Sequence, residues 1–541
     1  MAKQVFYGDE AREKVLAGAK TLADAVKTTM GPKGRNVVIS KSYGGPNVTH
    51  DGVTVAEAID LPENEDNLGE KVGAELIKQA AKKMNKAAGD GTTTVTVLTY
   101  EILKEANRLI AAGHNPMELR KGVEKAGAQV LSELNKIAEP VDGKNDLITE
   151  VASISAGDTE IGKLIASVIS RIGKDGVVSV EAGQGLAMES EITEGFTFDR
   201  GYVSAYMATD TNRMEAVYDK PAIIITDKKI SSAQEMLPLM EKLVASGKKD
   251  IVLIAEDVEG EALGILILNR LKGALNTVAV KAPSFGDRRK EVLQDIATLT
   301  GASVITSDQG MTFDNVGLEV VGSARKVIVA KDNTTIIEGA GDKTTISQRI
   351  DQIKSQAGVA TSDYDREQLD KRAAALSGKV AVIKVGGATE TEIDEKKYRV
   401  DDAVAAVKAA LLEGIVPGGG VTPINLAGKI TGDSAGAEIM RNALLMPFKQ
   451  LATNAGLNAE ALLAQVQEAK PGHGVDVANY QGKLIDLKKA GVVDPAMVTY
   501  QAIRNAVSIA STAMTMGALV VDIPEKPTAE AAGNPGMGMG Y

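Results

Sequence analysis

Val15, Ala19, Leu22, Val26 and Met30 recur every three to four residues, the spacing of one helix face, and predict a helix over 9–30. Asp9 is placed to cap its start, and Gly31-Pro32 break its end. The same period predicts helices over 68–88, 92–112 and 159–172. Between them stand short β-rich runs at 36–40 and 177–180, a Gly44-Gly45-Pro46 turn, a polar loop over 61–66 and a Gly173-Lys174-Asp175-Gly176 turn. From residue 222 the pattern changes. Ala222-Ile223-Ile224-Ile225-Thr226, Ile251-Val252-Leu253-Ile254-Ala255 and Thr277-Val278-Ala279-Val280 read as strands, separated by helical stretches at 231–246 and 259–272. Another strand, 380–385, ends at Gly386-Gly387. An alanine-rich helix follows over 401–413, then Pro417-Gly418-Gly419-Gly420. The rest is helical to about 517, with Asp494-Pro495 starting the last long helix.

Strands alternating with helices in the middle imply a parallel sheet and an α/β domain. The helical character of 1–135 resembles that of 415–520. These segments read as one domain built from both chain ends, with another inserted between them through narrow connectors near Pro140, Gly195, Gly378 and Gly414. A chain of 541 residues agrees with several domains.

Composition narrows the chemistry. Apolar residues make up 44%, enough for ordinary cores, but aromatics only 3% with no tryptophan, so Ala, Val, Ile and Leu must fill them. There is no cysteine, which excludes disulfides and thiolate metal sites, and three scattered histidines make a His-rich metal site a poor fit. A net charge of −11 argues against general nucleic-acid affinity. No apolar run reaches the ~18 residues of a membrane helix, and Met-Ala-Lys-Gln leads into helical pattern without a signal peptide. A cytoplasmic protein with no membrane or nucleic-acid partner is expected. The glycine- and methionine-rich end, 526–541, has nothing to pack and is expected to be disordered.

Gly89-Asp90-Gly91-Thr92-Thr93-Thr94 is the stretch with the most chemistry in it. Glycines allow a backbone to approach a phosphate. If the threonines open a helix, its free N–H groups form an anion cradle. Asp90 is then a hard oxygen ligand for Mg²⁺. A bare turn before a capped helix is the competing reading. Thr29 to Lys33 and Gly418 to Gly420 are further cradle candidates, and Asp51 and Asp401 are carboxylates beside turns or helix starts. Asp401 reads equally as an acid favoured by the helix dipole. Gly339-Ala340-Gly341-Asp342-Lys343-Thr344 lacks the Gly-Lys-Ser/Thr ending of a Walker loop and reads as a turn. In the middle segment, Leu263, Ile265, Leu266, Ile267, Leu268 and Leu271 cover a wide arc of one helix, as do Met236, Leu237, Leu239, Met240, Leu243 and Val244 of another. Such helices are either buried all round or show an apolar stripe to a partner.

The strings GDGTTT, TTMGPKGRNVVI, EDVEGEAL, KAPSFGDRR, QDIATLTG and KKYRVDDA, with the Gly-Met tail, resemble a group I chaperonin of the GroEL type, in order and over essentially the whole chain. The resemblance implies an ATP-driven protein-folding machine of two stacked seven-membered rings, with unfolded proteins as substrates and a GroES-type co-chaperonin as lid. ATP, Mg²⁺ and K⁺ are the implied cofactors. The implied fold is multidomain, α and α/β. It has an equatorial domain from 1–136 and 413–525, an intermediate domain from 137–194 and 379–412, and an apical domain over 195–378.

Residue by residue, the resemblance makes Thr29, Met30, Gly31 and Pro32 the phosphate loop and Asp90 the metal ligand. Gly91, Thr92, Thr93 and Thr94 complete the cradle. His50, Gly418, Asp476, Val477, Ala478 and Asp494 become further nucleotide contacts. Asp401 is implied to orient the attacking water, with Asp51 assisting. Tyr202, Tyr206, Met207, Leu237, Met240, Leu263, Ile267 and Leu268 are implied to bind substrate. This chain departs from the pattern in places. His50 stands where a lysine is usual, Leu412-Glu413 replaces paired glutamates, Pro417 replaces a small residue, and the loops near 61–67 and before Asp494 are longer. A passive holdase that has lost its ATPase, and a small-molecule kinase sharing the phosphate cradle, are the alternatives.

Overall fold

The computed structural model describes residues 2–523, except 41–45, 65–66, 142–143, 174–175, 184, 211–212 and 361. The expected Gly44-Gly45 turn, the Lys174-Asp175 turn and the 526–541 tail lie outside the described residues. The chain folds as two compact units. One combines Met1–Ser167 with Gly387–Tyr541, and the other is Val168–Gly386.

The unit made from both ends is helical. Its long helices are Gly8–Val26, Glu70–Ala88, Thr92–Ala111, Pro116–Ile137, Glu390–Glu413, Ala435–Asn454 and Ala496–Ala513, with a shorter one at Asn145–Ala156. Small and aliphatic side chains such as Leu22, Ala80, Ile102, Val130, Ala443 and Ala506 fill one core between them, as the scarcity of aromatics requires. Short antiparallel pairs fasten distant segments. Strand Lys3–Tyr7 pairs with Ala518–Asp522, joining the chain's two ends, and Ile415–Pro417 pairs with Val493–Pro495. Asp9 does not cap the first helix: Tyr7 holds the cap position without a side-chain bond, and Asp9 lies in the first turn. The expected helix over 401–413 begins eleven residues earlier, at Glu390. There the Thr389 hydroxyl accepts from Glu392 N–H at 3.2 Å, and the Glu392 carboxylate reaches back to Ala388 N–H at 2.9 Å, a reciprocal N-terminal lock. Asp401 is therefore mid-helix, where the helix dipole gives it no favour.

The second unit is built on a ten-stranded sheet that is mixed, not parallel throughout. Strands Ala222–Thr226, Asp250–Ala255 and Asn276–Lys281 run parallel, each joined to the next by one helix, Ala233–Ala245 or Gly260–Leu271. All five side chains of 222–226 are buried, as are those of 251–255, the mark of strands covered on both faces. Each fully buried Ile, Val or Leu contributes roughly 1.5–3 kcal/mol. Gly322–Val329, Thr334–Gly339, Glu189–Phe198 and Lys379–Val385 continue the sheet antiparallel. Burial alternates along Gly322–Val329 but not along Thr334–Gly339 or Lys379–Val385, where four successive residues are buried; of these four strands the sequence pattern predicts only 380–385. The Gly339–Thr344 segment is a turn, with the Asp342 carboxylate capping the next helix through Thr345 N–H at 2.9 Å. Among the described residues, no helix is long and apolar enough to cross a membrane.

Candidate functional site

A cavity of about 1010 Å³ opens within the helical unit, at the upper end of the range for small-molecule sites. Its floor is the N-terminus of the 92–111 helix. Gly91 caps that helix at φ +79°, a left-handed conformation that would strain a residue with a side chain. The open N–H groups behind it face the cavity, beside Thr92, Thr93 and Thr94. A second wall is the short turn Lys27–Thr29 that ends the first helix, with Met30, Gly31 and Pro32 following. The two walls meet through their hydroxyls: Thr29 Oγ1 lies 3.1 Å from Thr93 Oγ1. Gly31 turns at φ +80°, and a Cβ there would meet Leu451 Cδ2 at 2.2 Å.

Three carboxylates stand over this floor. Asp51 caps the Gly52–Ala58 helix, accepting from Val53 N–H at 3.2 Å and Thr54 N–H at 2.9 Å. Asp90 accepts from Gly91 N–H at 2.5 Å and from the Ser155 hydroxyl at 2.9 Å. The third is Asp402, and not Asp401, which does not line the cavity. On the 390–413 helix the lining residues are Glu395, Tyr398, Arg399 and Asp402. Their spacing of three, one and three places them on one face; Asp401 is rotated away by about 100°. Burial, and then the charges of Asp51, Asp90 and Asp401, raise the Asp402 carboxyl well above the usual range. Burial also raises Asp90, against its two hydrogen bonds and with help from Asp51. Asp494 is pushed up to about 7 by burial and by Asp90. These carboxylates keep some surface toward the cavity but are enclosed by protein. Burial and like charge both disfavour ionisation of Asp90, Asp402 and Asp494.

The other sequence-predicted residues divide. His50, Asp476, Val477, Ala478 and Asp494 line the cavity. Burial and then Arg399 lower the His50 imidazole, favouring its neutral form. Asp476 holds its own loop, accepting from Ala478 N–H at 2.9 Å. Gly418 does not line the cavity; Gly419 and Gly420 do. Gly418 instead leaves room for Asp494, whose Oδ1 would lie 2.9 Å from any Cβ added there.

The sequence reading missed Asp402, Ser155, Glu395 and Arg399. For Asp402, Glu395 and Arg399 the signal was present as helical spacing, provided that the helix was started at Glu390. Ser155 had no local signal, because its role depends on where the 145–156 helix packs.

In the sheet unit, the proposed substrate residues also divide. Tyr206 is 70% exposed, Leu268 49% and Leu237 38%, with Leu271 and Val244 exposed beside them in sequence. Tyr202, Leu263 and Ile267 are half-buried. Met207 and Met240 are core residues, 0% and 4% exposed. Met207 Sδ accepts from Ala279 N–H at 3.2 Å, and Met240 lies on the inner face of its helix with Met236 and Leu243. Both correct the expectation that they present surface. Neither wide-arc helix is buried all round.

The fold and the cavity define a two-unit α and α/β protein with an anion cradle ringed by carboxylates. The chain matches the TCP-1/cpn60 chaperonin family over residues 22–524, and it belongs to that family. Members of the family act in protein folding, are ATPases in general, and work on unfolded chains as oligomeric rings.

Proposed function

We propose that this chain is the subunit of a group I, GroEL-type chaperonin, which hydrolyses ATP to drive capture and enclosed folding of unfolded proteins. It would act as two stacked seven-membered rings with a GroES-type lid, in the cytoplasm. One observation carries the ATPase part: Asp51, Asp90 and Asp402 converge on one cavity with the open N-terminus of the 92–111 helix and the 27–32 turn. The helix N–H groups and the Thr29 and Thr93 hydroxyls suit the phosphates, and Asp476 to Ala478 with Asp494 suit the nucleoside. Asp90 would hold Mg²⁺, which supplies neutralisation of phosphate charge when bound. Among the described residues no group of three His, Cys, Asp or Glu side chains is arranged to hold a metal, so phosphate and water would complete its shell. Ser155 keeps the Asp90 carboxylate turned toward the cavity. Asp402, with Asp51, would accept the hydrogen bond that orients the attacking water. K⁺ belongs to the same proposal through the family resemblance alone. In the sheet unit, Tyr206, Leu237 and Leu268 supply exposed apolar surface for unfolded chains.

The test is steady-state ATP hydrolysis with nucleotide binding measured in parallel. Asp402→Ala is expected to bind ATP and to hydrolyse it roughly 10²-fold or more slowly, the size of a lost positioned base. Asp401→Ala is expected to stay within about threefold of wild type, since its side chain does not line the cavity. Slow hydrolysis in Asp401→Ala with normal hydrolysis in Asp402→Ala would reverse the assignment. No hydrolysis by the wild type would favour a passive holdase.

A further inference from the structure

We propose that Asn454 is a positioning residue for nucleotide binding, holding the 27–32 turn in shape from behind. The inference rests on the reading of the cavity as an ATP site. Asn454 closes the Ala435–Asn454 helix and does not itself line the cavity. Its Nδ2 donates to the Lys27 carbonyl at 3.0 Å and to the Met30 carbonyl at 2.9 Å. Its Oδ1 accepts from Gln450 Nε2 at 2.7 Å, one helical turn earlier. That third bond fixes the orientation of the amide: flipped, it would set its oxygen against two carbonyls and its N–H₂ against a donor.

The two carbonyls bracket the turn that carries Thr29. Within the turn the Lys27 carbonyl already accepts from Met30 N–H at 3.2 Å, and the Asn454 amide adds one bond to each end of the turn. The same last turn of the 435–454 helix touches the loop a second time, by shape, where Leu451 lies against Gly31. Beyond the turn the backbone is tied by Gly34 N–H to the Gly31 carbonyl at 2.9 Å and by Arg35 N–H to the Thr28 carbonyl at 2.8 Å. Asn454 therefore presets the loop, and the cost of ordering it is not charged to nucleotide binding. Gln450 acts one step further back, by aiming Asn454.

The experiment compares assembled wild type with Asn454→Ala, Asn454→Asp and Gln450→Ala. It measures ADP binding by calorimetry, ATPase kinetics, thermal unfolding and hydrogen exchange of the Gly34 and Arg35 amides. Asn454→Ala is expected to weaken ADP binding and raise KM about tenfold, the loss of one to two net hydrogen bonds. Its kcat should stay within about twofold, because hydrolysis at saturation does not depend on the cost of ordering. Asn454→Asp is expected to be weaker still, since a carboxylate faces the two carbonyls. Gln450→Ala should show the same pattern at about threefold, and it keeps the test open if the Asn454 variants fail to fold. In each variant the two amides should exchange faster without ADP and recover with it. Unchanged ADP affinity and KM in the folded variants would overturn the inference, as would a fall in kcat that tracks lowered thermal stability. Failure of the wild type to bind ADP would overturn the nucleotide reading beneath it.

Discussion

Asp494 makes the stability of the free protein depend on pH. Its folded value of about 7 lies above the ordinary 3.8 because burial and Asp90 disfavour its charge. Between those values the folded state holds a proton that the unfolded chain has released. Stability from this group is therefore complete below about 3.8, declines as pH rises, and is gone above about 7. Asp90 and Asp402 shift in the same direction. Without nucleotide, the wild type should lose stability between pH 5 and pH 8 by more than Asp494→Asn does. The difference is on the order of a few kcal/mol, and denaturant titration at the two pH values measures it. Equal loss in both proteins would mean that Asp494 ionises normally. At this scale the sequence was a good guide to residue type and a poor one to register. A pair of adjacent aspartates, Asp401-Asp402, offers two equivalent carboxylates to a reader of the string. Only the phase of the 390–413 helix, fixed by its Thr389 cap and its packing, turns one of them into the cavity.

At the scale of elements, the site depends on how one helix begins. The 92–111 helix was legible because three threonines follow a glycine and an apolar period follows them. The string did not show how closely other elements approach that start. A Cβ on Gly91 would meet Val498 Cγ1 at 2.6 Å and Met84 Cε at 2.9 Å, besides the strain of φ +79°. Gly91→Ala should thus destabilise the helical unit by about 2–4 kcal/mol, the sum of a left-handed penalty and overpacking. It should also weaken nucleotide binding, as the helix start is displaced. Denaturant unfolding and ADP calorimetry check the two effects. The 390–413 helix shows the opposite case. Among its first eleven residues only Ile393, Tyr398 and Val400 are apolar, and an amphipathic period is weak where few positions are apolar; the cap at Thr389 is the stronger signal.

At the scale of the whole molecule, the proposed function gives the two units separable tasks. Exposed apolar residues of the sheet unit lie at Leu237 and Leu268, while Met240 on the same helix as Leu237 faces the core. Leu268→Ser should lower the affinity for a denatured protein by roughly three- to tenfold, the loss of one half-exposed aliphatic contact. Unstimulated ATP hydrolysis should be unaffected. Met240→Ser should instead destabilise the unit by about 2–5 kcal/mol. Capture of a fluorescent denatured protein, set beside thermal unfolding, distinguishes them; equal behaviour of the two variants would refute the division of roles. The building of one unit from both chain ends was legible as two helical flanks around an α/β middle. The short strands at 177–182 and 379–385 join the central sheet, while the helices at 145–156 and 390–413 pack in the helical unit.

By itself the sequence determined part of what is local: the strongly periodic helices, the apolar parallel strands, the glycine-and-threonine helix start at 91–94, and the family. These follow from hydrophobic period and from residue types with few substitutes. The tertiary structure decided what depends on packing between distant segments. It turned Asp402 and not Asp401 into the cavity, set Ser155 on Asp90, buried Met207 and Met240 while exposing Leu268, and brought Asn454 behind a loop 427 residues away in the chain. A helix's rotation and a side chain's exposure are settled by whatever packs against them, and that is not written in the neighbouring residues.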